Sequence, residues 1–122
     1  MMIEKELSSA EYDFERSKDS LHDEDYKWAT VQAYYSMFHT AKALILAEGY
    51  REKSHYCLII ALQELYVNKS RMDQEMVDNL ELCMHLRHDA DYGSLYDKES
   101  ALASLRYAKT FLDVTKKLLS CL

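Results

Sequence analysis

The segment "DYKWATVQAYYSMFHTAKALILAEG", residues 25–49, predicts an amphipathic helix. Its apolar residues recur every three or four positions, which lays one stripe along a helix running to about Glu48. Asp23 or Asp25 supplies a carboxylate suited to the first turn, and Gly49 is a natural end because glycine tolerates the backbone that follows a helix. The predicted inward-facing residues are Trp28, Val31, Tyr35, Phe38, Ala41 and Ile45.

The flanking segments repeat this helical pattern. A first helix carries its apolar stripe over residues 3–21 and ends in the cluster "HDED". A third is almost continuously apolar over residues 56–66, which predicts burial on several sides and a central place in the fold. A fourth covers residues 74–92 and ends at Gly93, and a fifth follows. Predicted N-caps of the last three helices are Ser54, Asp73 and Asp97.

Length and composition predict a single helical domain over residues 1–122. The chain is 48% hydrophobic, which is enough to close one core at this length. It has no proline and only two glycines, so it lacks the turn residues that a sheet protein needs. Because the connections are short, neighbouring helices should be antiparallel. The predicted fold is all-α, an up-and-down bundle of four to five antiparallel helices.

Several functional classes are excluded by what the sequence lacks. The apolar run "CLIIAL", residues 57–62, is far shorter than the roughly 20 residues that cross a bilayer, and "MMIEKELSS" does not resemble a secretory signal. We therefore expect a cytoplasmic protein without membrane contact. A net charge of −6 argues against duplex DNA, although it leaves room for a small RNA site. Three cysteines without a C-x-x-C pair predict reduced, buried thiols.

The segment "LRHDADYG", residues 86–93, places charge on an apolar stripe. Steps of three and four residues along the fourth helix lead from Leu80 and Cys83 to Arg87 and Asp91. One interpretation is a simple ion pair within the helix, worth about 0.3 kcal/mol. The other is that Arg87 emerges into a cleft or subunit interface, where Asp91 orients its guanidinium to bind a phosphate. The spacing alone leaves both open.

Histidines are candidates for binding or proton transfer. His85 and His88 lie three apart on the fourth helix, which is too few ligands to predict a metal site. His39 follows an aromatic run, and His55 lies beside Lys53 at the start of the third helix. No glycine-rich phosphate loop or nucleophile motif is present, so the sequence indicates no metal and no cofactor.

Three motifs in order resemble the HEPN domain family of prokaryotes. They are "AYYSMFHTAKALILAEGY" (residues 33–50), "KSH" (53–55) and "LRHDADYG" (86–93), and the last resembles the branch with an R-x-x-A-D-Y-G signature. The resemblance extends over about residues 28–119. It implies a HEPN bundle, usually a homodimer, that is often encoded beside a minimal nucleotidyltransferase as a toxin and antitoxin pair.

The resemblance also implies roles for individual residues. Ribonuclease members of the family carry R-x(4–6)-H; Arg87 matches the arginine, but residues 92–94 contain no histidine. The predicted function is therefore a nucleotide- or phosphate-binding partner of a minimal nucleotidyltransferase. Its predicted ligand-binding residues are Arg87, His55, Lys53 and His39.

Two alternatives stay open, and so does the question of whether the chain is an enzyme. The first is a metal-independent ribonuclease toxin with an altered site at Arg87, Asp91 and Tyr92, with His88 as a further proton-transfer group. The second is a helical dimerisation module without a ligand. Tyr92 is in addition a predicted acceptor of a nucleotidyl group from the partner enzyme.

Overall fold

A computed structural model of the chain describes residues 2–51 and 54–120, and all regular structure in these ranges is helical. The predicted all-α bundle is confirmed. A π-helical segment, Gln63–Val67, continues directly from the third helix. The five α-helices are α1 (Met2–His22), α2 (Tyr26–Ala47), α3 (His55–Leu62), α4 (Gln74–Tyr92) and α5 (Lys98–Ser120).

Local side-chain chemistry explains where most helices begin. Three predicted caps accept a backbone N–H in the first turn: Asp25 from Trp28 at 3.3 Å, Ser54 from Cys57 at 3.0 Å and Asp97 from Ser100 at 2.7 Å. The bonds to Ser100 lower the pKa of the Asp97 carboxyl. Asp73 occupies the cap position of α4 but forms no side-chain capping bond with the described residues.

The two glycines end their helices differently. Gly49 has a φ of +84°, the left-handed conformation expected after α2. Gly93 ends α4 as predicted, but it keeps a right-handed backbone with a φ of −100°. The left-handed residue there is Ser94, with a φ of 54°. The α4–α5 connection therefore turns at a serine.

The central helix is α2, which packs against α1, α3, α4 and α5. It runs antiparallel to α1, because Ser36 near its middle donates a hydrogen bond to the carbonyl of Ala10 at 2.8 Å and His39 reaches back to Glu6 at 2.7 Å. Small buried residues on its α1 side permit this close approach. The prediction that the third helix is central is wrong.

Helix α3 lies at the edge of the bundle, with Tyr56 and Ile60 exposed. It runs in the same direction as α2, so the prediction that neighbouring helices are antiparallel does not hold for this pair. His55 at its start contacts Tyr34, and Tyr66 beyond its end donates a hydrogen bond to the Leu44 carbonyl at 2.6 Å. A continuous apolar run does not by itself specify burial on all sides, since only one face of α3 meets the core. This edge position leaves room for a pocket beside α4.

Other packing predictions are confirmed in part. The stripes of α1 and α5 face the core, but Trp28 is exposed because Ala29 and Ala33 take the inward positions of its turn. Cys83 is buried, and burial raises the pKa of its thiol to about 12. Cys57 is exposed, so the prediction of a buried thiol is wrong there, and Cys121 lies outside the described residues. Within the described ranges, no helix combines the length and apolar character needed to cross a bilayer.

Candidate functional site

Arg87 points inward from α4 onto two aromatic rings of α2. Its side chain is only 12% exposed, and its guanidinium carbon lies 5.4 Å from the ring centroid of Tyr34 and 5.3 Å from that of Tyr35. At this range a guanidinium is attracted to the negative face of an aromatic ring. The two tyrosines therefore hold the guanidinium against α2, with a small part of the side chain left exposed.

The polar contacts of Arg87 do not satisfy all the hydrogen-bond donors of its guanidinium. Nη1 lies 3.5 Å from Oδ2 of Asp91, which suffices for an ion pair but is long for a hydrogen bond. Nε is buried and has no hydrogen-bond partner among the described residues. Buried polar atoms are nearly always paired in folded proteins, so an unpaired N–H here calls for an explanation.

A pocket of about 360 Å³ opens between α3 and α4 beside this guanidinium. That volume lies within the usual range for small-molecule sites. The described residues that line it are His55, Met84, His85, Arg87 and His88. Three imidazoles and a guanidinium, with no carboxylate among the described lining residues, form a surface of hydrogen-bond donors suited to an anion.

His55 is placed in the pocket by the start of α3 and by the aromatic residues of α2. Ser54 caps the helix, and His55 follows as its first residue. Its Nδ1 lies 2.5 Å from the hydroxyl oxygen of Tyr34, and its ring stacks on Phe38 with centroids 4.3 Å apart. Burial raises the pKa of Tyr34, so this phenol stays protonated and can donate to the imidazole.

The predicted site residues of the "LRHDADYG" segment divide into two groups. Arg87 and His88 line the pocket together with His55, and Asp91 lies directly beside Arg87. Tyr92 is outside the pocket lining and 72% exposed, with its ring centroid 4.9 Å from that of His88. Its hydroxyl is accessible at the end of α4.

His39 lies on a different face of α2 and is not among the described residues that line the pocket. Its Nδ1 is 2.7 Å from Glu6 and its Nε2 is 3.6 Å from Asp13, both carboxylates of α1. Burial is the main cause that raises the pKa of the Asp13 carboxyl, and His39 opposes it. The structure thus uses His39 to join α1 to α2. Lys53, the remaining predicted ligand-binding residue, lies outside the described residues.

Sequence reasoning missed three residues of this site: His85, Tyr34 and Tyr35. The three-residue spacing of His85 and His88 places both on one side of α4, which indicates a shared pocket although it is insufficient for a metal site. The two tyrosines are visible in the "YYSMF" run, but no local signal says that Arg87 lies against them. Among the described residues, no group of three or more His, Cys, Asp and Glu side chains is arranged to hold a metal ion.

Comparisons with known proteins give a family match, named relatives and a similar solved structure. A family model described as HEPN domain matches residues 3–118. A protein of Methanocaldococcus jannaschii named "Putative toxin MJ0142" is 30% identical to this chain over 119 residues, which cover 96% of this chain and 81% of that protein. A second protein of this organism, "Putative toxin MJ0605", is 31% identical over 119 residues, which cover 97% of this chain and 84% of that protein. The crystal structure of TT1696 from Thermus thermophilus has a TM-score of 0.83 at 19% identity, covering 95% of this chain and 97% of that one, which supports the fold.

Proposed function

The chain belongs to the HEPN domain family, and from that premise we propose that this toxin-like member binds a phosphate group, carried by a nucleotide or by RNA, in the pocket between α3 and α4. The observation that carries the proposal is that Arg87 lines this pocket and that its guanidinium has an N–H without an acceptor among the described residues. A planar guanidinium can donate two parallel hydrogen bonds to phosphate oxygens, and the nearby imidazoles add further N–H donors.

The charge arrangement favours an anion at this place although the whole chain is acidic. Asp91 is the carboxylate paired with Arg87, and its long contact leaves the guanidinium able to turn towards a stronger acceptor. Hydrogen bonds to charged groups contribute about 1.5–3 kcal/mol each, so two of them give measurable affinity.

The direct test is calorimetric titration with adenosine monophosphate in excess EDTA. Wild type should bind, Arg87→Ala should not, and Arg71→Ala should bind like wild type because Arg71 already donates a hydrogen bond to Glu48 at 2.6 Å. Equal affinity of wild type and Arg87→Ala would overturn the proposal.

A second candidate function is metal-independent cleavage of RNA, favoured by the three imidazoles around Arg87. In such a reaction the ribose 2′ oxygen attacks the neighbouring phosphorus and the bond to the 5′ oxygen breaks. One imidazole accepts the 2′ hydroxyl proton, another donates a proton to the departing 5′ oxygen, and Arg87 stabilises the charge on the phosphate. The site would then act without a histidine at residues 92–94.

Incubation of the pure protein with total cellular RNA in excess EDTA separates the two functions. Wild type and Arg87→Ala are prepared identically, so that a contaminating nuclease would act in both samples. Cleavage by wild type alone would establish the ribonuclease. Binding of adenosine monophosphate without cleavage of RNA would support the phosphate-binding function and exclude the ribonuclease.

We further propose a minimal nucleotidyltransferase as the protein partner, with Tyr92 as the acceptor of a nucleotidyl group. The exposed hydroxyl of Tyr92 at the end of α4 supports this proposal. Intact mass after co-expression with such an enzyme should increase by one or more nucleotidyl groups in wild type and in Tyr96→Phe. The increase should be absent in Tyr92→Phe, and its persistence there would exclude Tyr92.

A homodimer is the proposed assembly, and exposed apolar side chains at the α4–α5 connection support it. They are Tyr92, Leu95 and Tyr96. Light scattering on wild type and Leu95→Asp tests this surface. A dimer in both would place the interface elsewhere, and dimerisation without any binding of nucleotide or RNA would favour a dimerisation module.

A further inference from the structure

We propose that Tyr34 is a positioning residue that keeps the Nε2 nitrogen of His55 protonated, so that His55 acts in the pocket as a hydrogen-bond donor. The inference rests on the proposed phosphate-binding function. It assigns a role to a buried residue that contacts both Arg87 and His55.

Tyr34 contacts Arg87 with its ring and His55 with its hydroxyl. The ring face of Tyr34 lies under the Arg87 guanidinium at 5.4 Å, while its hydroxyl oxygen is 2.5 Å from Nδ1 of His55. Tyr34 is 1% exposed, so neither part can easily move away. The positions of the arginine and of the histidine are therefore coupled through a single rigid residue.

Aromatic neighbours fix the orientation of the His55 ring. Phe38 stacks on it at 4.3 Å with an angle of 17° between the planes, and Tyr34 does so at 5.6 Å with the same angle. Tyr35 meets it edge-on at 6.3 Å and 84°. A half-turn of the ring, which would exchange the places of nitrogen and carbon, would break the hydrogen bond to Tyr34.

The hydrogen bond determines which nitrogen of His55 carries the proton. The buried hydroxyl of Tyr34 has no other hydrogen-bond partner among the described residues, so its proton is directed to Nδ1. The neutral ring therefore accepts at Nδ1 and carries its own proton on Nε2. When the ring is protonated, Nδ1–H donates to the Tyr34 oxygen and Nε2 keeps its own proton. A ligand that hydrogen-bonds Nε2 therefore meets an N–H in both states.

This assignment restricts the chemistry of the pocket. His55 can donate to a phosphate oxygen, and in its protonated form it can supply a proton, but Nε2 cannot accept one. If the chain cleaves RNA, the base is therefore His85 or His88. Among the described residues, the charged and titratable groups that face His55 are Tyr34 and Tyr35 from α2 and His85, Arg87 and His88 from α4.

The test is Tyr34→Phe, which removes the hydroxyl and keeps the ring under Arg87. Two-dimensional ¹⁵N NMR at pH 8 should show the Nε2–H tautomer of His55 in wild type and a larger share of Nδ1–H in the variant. Affinity for adenosine monophosphate should fall ~3–10-fold at pH 8, because part of the population loses one charge-assisted hydrogen bond. At pH 5.5 it should stay within about twofold of wild type, because the protonated ring has both N–H groups.

Tyr66→Phe is the matched control, since it removes the hydroxyl of another buried tyrosine that lies beneath an arginine, outside the pocket lining. Its affinity for adenosine monophosphate should match wild type at both pH values. An Nδ1–H tautomer in wild type, or an equal loss of affinity in Tyr34→Phe at pH 5.5 and pH 8, would overturn the inference. Absence of binding by wild type would defeat the proposed function instead, and the tautomer measurement would still decide the role of Tyr34.

Discussion

Arg71 and Arg87 are each packed on a tyrosine ring and paired with a carboxylate, but the two guanidiniums differ in how fully they are hydrogen-bonded. Arg71 lies 4.6 Å from the ring centroid of Tyr66 and donates to Glu48 at 2.6 Å. Arg87 is more buried, with 12% of its side chain exposed against 30% for Arg71, yet its carboxylate contact is 3.5 Å. The more deeply buried arginine, Arg87, is thus the one with the weaker carboxylate contact.

The difference separates a structural arginine from a candidate functional one. The hydrogen bond to Glu48 raises the pKa of Arg71 and connects the chain after the π-helical segment to the end of α2. The partner of Arg87 lies four residues away on the same helix, so that pair joins no separate elements. A buried guanidinium with an unpaired Nε does not maximise stability. The proposed phosphate ligand would account for its retention at this position.

The largest expected effect is loss of ligand affinity in Arg87→Ala. Removing two charge-assisted hydrogen bonds should weaken binding of adenosine monophosphate roughly 100-fold, or about 2.8 kcal/mol. Calorimetric titration measures this directly. Arg87→Lys keeps the charge but loses the fork of donors, so it should recover only part of the affinity. Full affinity in Arg87→Lys would show that charge alone suffices.

The corresponding change at the other arginine should affect stability instead. Arg71→Ala removes the hydrogen bond to Glu48 and the contact with Tyr66, so the free energy of unfolding should fall by about 1–2 kcal/mol. Urea unfolding followed by circular dichroism gives the value. If Arg71→Ala reduced the affinity for adenosine monophosphate as strongly as Arg87→Ala, the distinction between the two sites would fail.

The tyrosine beneath Arg71 provides a smaller test of the structural site. Tyr66→Phe removes a buried hydrogen bond to the carbonyl of Leu44, which should lower the free energy of unfolding by about 1 kcal/mol. Burial raises the pKa of Tyr66 to about 12, so the hydroxyl donates throughout the neutral pH range. Urea unfolding at pH 7 and pH 9 should give the same difference. A difference that vanished at pH 9 would contradict this assignment.

The smallest expected effect comes from the carboxylate beside Arg87. Asp91→Asn removes a weak ion pair within α4, so the unfolding free energy should change by less than about 0.5 kcal/mol. Affinity for adenosine monophosphate should rise about twofold, because a negative charge near the bound anion is removed. A tenfold fall would instead indicate that Asp91 orients the guanidinium.

The sequence predicts the features that depend on residues close together in the chain, and not those that depend on residues far apart. The caps at Asp25 and Ser54 depend on neighbours three residues away; the sequence predicts Ser54 and narrows the other cap to Asp23 or Asp25. The inward position of Arg87 follows from helical spacing on α4 and is predicted too. The contact between Tyr34 and His55 joins residues 21 apart, and it depends on the direction of α3, which no local pattern specifies.

The same limit explains the wrong predictions. Trp28 and Ala29 are adjacent on α2, and spacing alone could not decide which of them faces the core. His39 and His55 look equivalent in the sequence, but His39 is directed towards the carboxylates of α1. Only the packing of α1 against α2 separates them.

The position of the pocket has a consequence for motion. Four of its described lining residues belong to α4, and the fifth, His55, belongs to α3. Helix α3 has eight residues, lies at the edge of the bundle and continues into a π-helical segment. Short edge elements with few buried contacts open more readily than a core. A ligand held by both helices would tie α3 to the bundle, so its amide hydrogens should exchange with solvent more slowly when the pocket is filled.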